Sequence, residues 1–370
     1  MVAKAPLFIM VGGFLGAGKT TTVGRLAKHY QAQGKRVIVV TNDQAADLVD
    51  THTLRAQGLE VGEVAGSCFC CNFNELTNVM EKLAGSGLPD VVLAEPVGSC
   101  TDLVATVMRP LEKVYQKPMR LAPYAVILKP GHGRRILGNH AKAGFSPQAA
   151  YIFRKQLEEA DLVLVNRADE LKPEEVAELT GLVNEQFPGR PVLAISAGTG
   201  AGFDRFIEAL EHGSIVPGQR TMDVDYDIYA QGEADLGWLN SQGSVRADKP
   251  FDLDALALGL VRTIQNLLNV QDAETAHLKV TVKGAGAIAV ANSIDNIIAP
   301  KLSQPASRQA LEADLILNAR VALDPETLAH LVEQGTHQAA QALGGKATLE
   351  NLRSFRPGRP VPTHRFQETV

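Results

Sequence analysis

The stretch GFLGAGKT, Gly13 to Thr20, constrains this chain more than any other. It matches G-x-x-x-x-G-K-[ST] in full, follows the apolar run LFIMV (7–11) and leads into a helical stretch from residue 19. Such a loop needs a buried strand before it and a helix after it. Its glycines turn backbone N–H groups inward around phosphates, and the helix N-terminus adds a positive field. Gly13, Gly16, Ala17, Gly18, Lys19, Thr20 and Thr21 are therefore candidate nucleotide-binding residues. In this motif the lysine reaches the β- and γ-phosphates and the hydroxyl holds Mg²⁺, which assigns those parts to Lys19 and Thr20.

Five further apolar runs follow: RVIVVT (36–41), VVLAE (91–95), YAVILK (124–129), DLVLVN (161–166) and PVLAIS (191–196). All are short and lack polar alternation, as strands do when helices cover both faces of a parallel sheet. Helical stretches at 19–33, 75–84, 147–159 and 173–186 lie between them. The pattern predicts an α/β domain over 1–212, a P-loop NTPase with a doubly wound, mostly parallel sheet. HGSIVPGQRTMDVDYD has linker composition, and 213–224 is the expected linker. Beyond it, 225–370 reads as a smaller α+β domain: DLGWLN, a helix over 251–268, HLKVTV, AIAVANS, LILNARVAL and a helix over 325–343. A ferredoxin-like arrangement is one candidate for it. The basic, proline-rich tail LRSFRPGRPVPTHRF is read as a solvated arm.

Glu95 ends the third apolar run and is followed by PVG. A carboxylate there sits beneath the phosphate loop and holds the Mg²⁺ shell, which makes Lys19 and Glu95 the candidate catalytic pair. Gly98 offers a backbone N–H to the γ-phosphate. NRAD (166–169) ends the fifth run. Guanine presents N1–H and N2–H₂ side by side, and the Asp169 carboxylate can accept both. Asn166 would bond the other edge of the base and brace the loop, and Arg167 can stack on the ring. Ser196 and Ala197, in ISAGTG, place backbone N–H groups near the guanine O6. A site built on such hydrogen bonds prefers GTP to ATP.

Three of the four cysteines fall in four positions, Cys68, Cys70 and Cys71; the fourth is Cys100. Four cysteines in 370 residues make no disulfide framework and point to reduced thiols in the cytoplasm. Three small buried hydrophobes between Gly66 and Asn72 would be poor core patterning. Clustered thiolates instead suit Zn²⁺ and also hold Cu(I), Co²⁺ or Ni²⁺. Three of them leave one tetrahedral position open, which suits a carrier that must later release its metal. The nine histidines are scattered. His330 and His337 lie two helical turns apart, about 10 Å, too far to chelate one ion. His132 and His140 are read as loop residues. A formal net charge of −5 leaves no basic footprint for nucleic acid, and no apolar stretch is long enough to span a membrane. MVAKAPLFIMVGG is read as a first strand rather than a signal peptide.

GGFLGAGKTT (12–21), CFCC (68–71), EPVG (95–98) and NRAD (166–169), in that order, resemble the CobW-type metal-chaperone GTPases. These are relatives of the nickel-insertion GTPases of urease and hydrogenase. The resemblance covers about the first 210 residues, and C-x-C-C between phosphate loop and E-x-x-G is its distinguishing mark. It implies a GTP/GDP switch with Mg²⁺, a divalent metal at Cys68, Cys70 and Cys71 (Zn²⁺ first, Co²⁺ or Ni²⁺ otherwise), and an unidentified client metalloprotein. Many members carry a carboxylate just before the Asn after the second strand; here Thr41 precedes Asn42. Asp43 and Cys100 are the candidates for the fourth ligand. Two other readings stand beside the metallochaperone: a GTPase that loads or repairs a corrinoid enzyme, and a thiol-redox sensor that uses nucleotide as a conformational ligand. The sequence leaves a homodimer open.

Overall fold

The computed structural model describes residues 5–43, 49–85, 87–138, 146–293, 296 and 298–367, with the backbone alone for Asp43. The chain divides into two compact units. The first takes residues 1–46, 57–230 and 359–370, the second 47–56 and 231–358.

In the first unit every apolar run becomes a strand. In chain order come β1 (Leu7–Gly13), α1 (Lys19–Ala32) and β2 (Val37–Asp43). The helix α2 (Val49–Ala56) is part of the second unit. The first unit resumes with β3 (Glu60–Ala65), α3 (Phe73–Ala84), β4 (Val91–Glu95), a π-helical turn at Val104–Met108, α4 (Arg109–Lys113), β5 (Arg120–Leu121) and β6 (Ala125–Leu128). Then follow α5 (Pro130–Leu137), α6 (Pro147–Glu159), β7 (Leu162–Val165), α7 (Pro173–Gln186), β8 (Val192–Ala194), α8 (Phe203–Glu211) and α9 (Tyr226–Ala234), whose residues from Gln231 on belong to the second unit. The sheet runs β3-β2-β4-β1-β6-β7-β8, with β5 also beside β1, and every recorded pairing is parallel. β1, β4, β6 and β7 are buried throughout, as strands covered on both faces must be. All the strand ends that carry sequence motifs are carboxyl ends, the edge where open α/β sheets bind ligands.

The second unit holds β9 (Gly237–Asp252), α10 (Leu253–Val270), β10 (Thr275–Gly284), β11 (Ala287–Ser293), β12 (Lys301–Gln304), β13 (Gln309–Val321), α11 (Pro325–Ala342) and β14 (Gly345–Phe355). Its antiparallel sheet has the order β12-β11-β10-β13-β9-β14. Without β11 and β12 this is β-α-β-β-α-β in the split ferredoxin-like order, so the hairpin strands extend one edge. Leu256, Leu260, Val261 and Ile264 of α10 and Leu328 and Val332 of α11 share one apolar cluster with β10 and β13.

The observed division differs from the expected one. The stretch read as a linker belongs to the first unit, where the Gly218 N–H donates to the buried Asp161 carboxylate at 2.7 Å. The stretch read as a solvated arm splits: residues up to Phe355 finish β14, and 359–370 belong to the first unit. β3 was not anticipated because its burial is partial, so it lacks a continuous apolar run.

Candidate nucleotide site and cysteine cluster

Gly18 begins α1 with φ 103°, a left-handed conformation in which a side chain is strained. A Cβ there would lie 2.4 Å from the Asn166 Nδ2, so the lack of a side chain lets the two loops close. Lys19 is buried and its Nζ donates to the Gly13 carbonyl at 2.9 Å. The Thr20 hydroxyl donates to Glu95 Oε1 at 2.8 Å, which joins the two expected Mg²⁺ residues across 75 positions of sequence. A Cβ on Gly98 would fall 2.9 Å from Lys19 Nζ and 2.7 Å from Leu15 Cδ2. Gly98 thus lies against the phosphate-loop lysine, where its backbone can face a terminal phosphate. Hydroxyl, carboxylate and lysine are the donor set that Mg²⁺ and a triphosphate require.

Asn166 is the brace between the loops. Its Nδ2 donates to the Ala17 carbonyl at 2.7 Å, and its Oδ1 accepts from Ala197 N at 2.9 Å and Arg167 N at 2.8 Å. The Ala197 N–H expected at the guanine O6 is therefore directed at Asn166 here. Arg167 has φ 61°, and Asp169 follows in a short 3₁₀ turn, exposed. Ser196 Oγ accepts from Thr199 N at 3.0 Å and shapes the next loop. Sequence reasoning missed Arg25: its Nε donates to the Ala197 carbonyl at 2.9 Å and its guanidinium to the Gly198 carbonyl at 2.6 Å. Replacing Asp169 by alanine is expected to lower the preference for GTP over ATP about 10- to 100-fold, the worth of hydrogen bonds to a charged group. Competition between the two nucleotides in equilibrium binding measures it.

The cysteines sit in a turn between β3 and α3. Cys71 N and Asn72 N both donate to the Cys68 carbonyl, at 3.0 and 2.9 Å. Asn42, at the end of β2, pins the turn: Nδ2 donates to the Val64 and Ser67 carbonyls, and Oδ1 accepts from Phe69 N at 2.8 Å. The three sulfurs make a triangle with edges of 2.8 Å (68–70), 3.0 Å (68–71) and 3.7 Å (70–71). Zinc–sulfur bonds of about 2.3 Å need tetrahedral edges of about 3.8 Å, so each edge opens by about 1 Å or less. Among the described residues this is the group of His, Cys, Asp or Glu ligand atoms close enough to share an ion.

Cys100 hydrogen-bonds to Cys70 and is the main reason that thiol is held well above its usual range, followed by Cys68, Cys71 and burial. The Cys71 thiol is pushed up to about 11, chiefly by Cys68, while the Val361 N–H pulls the other way. Cys100 rides on the loop that begins at Gly98, and α6 fixes that loop. Gln156 Nε2 donates to the Gly98 carbonyl at 3.0 Å and to the Cys100 carbonyl at 2.8 Å. Buried Glu159 accepts from the Thr101 hydroxyl at 3.2 Å and Val104 N at 3.1 Å. No local pattern in the sequence marks Gln156 or Glu159 for this task. The Asp43 side chain and His140 lie outside the described residues. His132 is buried at 0% exposure in α5 and its Nε2 lies 3.2 Å from Lys129 Nζ, a helix residue rather than a loop one. His330 and His337 are exposed on α11.

Residues 7–194 match the family model described as CobW/HypB/UreG, nucleotide-binding domain. Among curated proteins, the chain is 30% identical over 171 residues to the zinc chaperone YeiR of Escherichia coli, covering 45% of this chain and 47% of that one. It is 28% identical over 216 residues to the zinc chaperone CobW of Pseudomonas aeruginosa, covering 50% and 55%. It is also 30% identical over 135 residues to the signal recognition particle receptor FtsY of Neisseria meningitidis, covering 34% and 30%. The chain thus spans between about a third and about half the length of these curated relatives. Solved structures resemble it loosely: Zn(II)-bound YjiA GTPase from Escherichia coli has a TM-score of 0.36 at 14% identity, covering 92% of this chain and 99% of that one. HypB from Helicobacter pylori in complex with nickel has a TM-score of 0.39 at 15% identity, covering 55% and 83%. Among the described residues no helix is long and apolar enough to cross a membrane.

Proposed function

The chain belongs to the CobW/HypB/UreG family of nucleotide-binding domains, and on that premise we propose that it is a GTP-hydrolysing metal carrier. It binds a divalent ion, zinc first, through Cys68, Cys70 and Cys71, and passes it to a client protein or cofactor pathway. One observation carries this reading. The loop that places Gly98 against the phosphate-loop lysine also places Cys100 against Cys70, two residues later. The zinc-chaperone names of two curated relatives agree with it.

Thr20 and Glu95 would hold Mg²⁺, which would supply charge neutralisation at the phosphates. Lys19 holds the γ-phosphate oxygens. Gly98 offers its N–H there, and Asn166 keeps phosphate loop and base loop at a fixed separation. Asp169 reads the guanine N1–H and N2–H₂. When Gly98 follows the γ-phosphate, Cys100 moves with it, so Cys100 is the fourth metal ligand in one nucleotide state and withdrawn in the other. Such coupling is reciprocal: metal changes GTP affinity by the factor by which GTP changes metal affinity, typically about 1–3 kcal/mol.

Two experiments test this. Protein purified without added metal should carry zinc at one ion per cluster, and an empty protein that also refuses added zinc contradicts the carrier reading. Zinc affinity with GDP and with a non-hydrolysable GTP analogue should differ for wild type and not for Cys100→Ala. Equal nucleotide dependence in both proteins would remove Cys100 from the ligand set.

A further inference from the structure

The end of the chain, which composition presents as a solvated basic arm, lies across the cysteine cluster. Val361 N donates to Cys71 Sγ at 3.2 Å. Thr363 N donates to the Cys70 carbonyl at 2.8 Å, and its hydroxyl to the Cys71 carbonyl at 2.9 Å. Arg365 Nε meets Asp102 Oδ2 at 2.6 Å, and Phe366 N donates to the carbonyl of Ala105 in the π-helical turn at 2.9 Å. The strap therefore touches the C-x-C-C turn on one side and, on the other, the segment just after Cys100.

Resting on the metal-carrier reading, we propose that residues 359–366 are a working part of the metal site: a strap whose Val361 N–H supports the Cys71 sulfur and whose hold on both loops governs metal entry and release. Four features carry this. Cys68 and Cys70 are 4% and 1% exposed, whereas Cys71 is only half-buried, and the strap's amide faces that sulfur. Pro360 and Pro362 have no N–H, so Val361 is the single amide donor of this triplet. The prolines also hold the segment extended before it docks, which lowers the entropy lost in holding the amide there. Finally, the anchor is a buried carboxylate. Asp102 is 1% exposed and is met by Arg365 and by the Tyr226 hydroxyl at 2.7 Å, so detaching Arg365 leaves that carboxylate short of its cation. A thiolate on a divalent ion keeps negative charge on sulfur, and an N–H aimed at it stabilises the bound state. Groups that support metal ligands in this way typically change affinity 10- to 100-fold.

The test uses the full chain with Co²⁺ as probe, followed through its thiolate charge-transfer absorption. Val361→Pro deletes the donor in a segment already flanked by prolines, and Arg365→Gln and Thr363→Val loosen the anchors. Val361→Pro is expected to weaken Co²⁺ binding about 10-fold or more with the stoichiometry unchanged. Arg365→Gln and Thr363→Val are expected to speed release of Co²⁺ to a chelator, and to speed iodoacetamide alkylation of Cys71 in metal-free protein. Should Arg365→Gln fail to fold, the other two variants decide. Wild-type rates and affinity in the folded variants overturn the strap while leaving the carrier reading standing. A wild type that shows no thiolate–cobalt absorption overturns the carrier reading, and the strap's role at a metal with it.

Discussion

Replacing Lys19 by alanine is expected to abolish measurable GTP turnover in a protein that still folds. Lys19 is buried at the start of α1, and its Nζ is held by the Gly13 carbonyl at 2.9 Å. Gly98 lies against the same nitrogen, so the ammonium occupies the point where loop and γ-phosphate are to meet. The motif GFLGAGKT holds no other cationic side chain to meet the charge that develops on the transferred group. Loss of one preorganised electrostatic partner costs about 10²–10³ in rate, and here the same residue also contributes to binding. The parent rate is itself expected to be low, since switch GTPases without assistance run at about 10⁻⁴ to 10⁻² per second. Alanine is the best helix former, so α1 should persist. Single-turnover hydrolysis and the thermal melt check both halves. Turnover at the wild-type rate would remove Lys19 from the chemistry.

What the sequence makes legible here is what is local. Strand, glycine loop and helix N-terminus are consecutive, so residues 7–20 specify the fold class and mark the candidate phosphate site. NRAD stands out as a candidate base loop for the same reason, since its Asn, Arg and Asp lie within four positions at a strand end. The cysteines are legible because three thiols in four residues have few structural uses. What stays hidden is whatever depends on contacts between distant parts of the chain. Arg25 reaches a carbonyl 172 positions away, and Val361 a sulfur 290 positions away. Gln156 touches a loop 58 and 56 positions before it, and nothing around it is patterned for that. Composition misled about the tail, because prolines and arginines describe a solvated arm as well as a preordered strap. Its use is set by what Asp102 and Cys71 present to it. α2 shows the same limit: its sequence position between phosphate loop and cysteines does not reveal that it packs within the second unit. There the Asn318 Oδ1 accepts from Val49 N at 3.0 Å, and Lys279 pairs with Asp50.

A Cys70→Ser, Cys71→Ser double variant is expected to lose tight metal binding and remain folded. The turn that presents the sulfurs does not need the ion. Asn42 holds it through three hydrogen bonds, and buried Phe69, Phe73 and Leu76 anchor it to the core. Serine in place of buried Cys70 risks an imperfectly paired hydroxyl, a cost of about 1–3 kcal/mol that a core of this size tolerates. The effect on metal is far larger. Four-ligand zinc sites bind with apparent free energies of about 10–16 kcal/mol. Removing two thiolates takes away on the order of half of that, a weakening of at least about a thousandfold. The pH dependence follows from the same sulfurs. Both thiols are raised, so the metal-free protein carries them protonated at neutral pH and an incoming ion must displace those protons. Affinity should therefore rise with pH and fall in acid, and this dependence should be largely lost in the double variant. Metal content after dialysis, read beside the melting temperature, separates the alternatives. A variant that unfolds would mark the cluster as a structural site, and one that keeps its zinc would place the metal elsewhere.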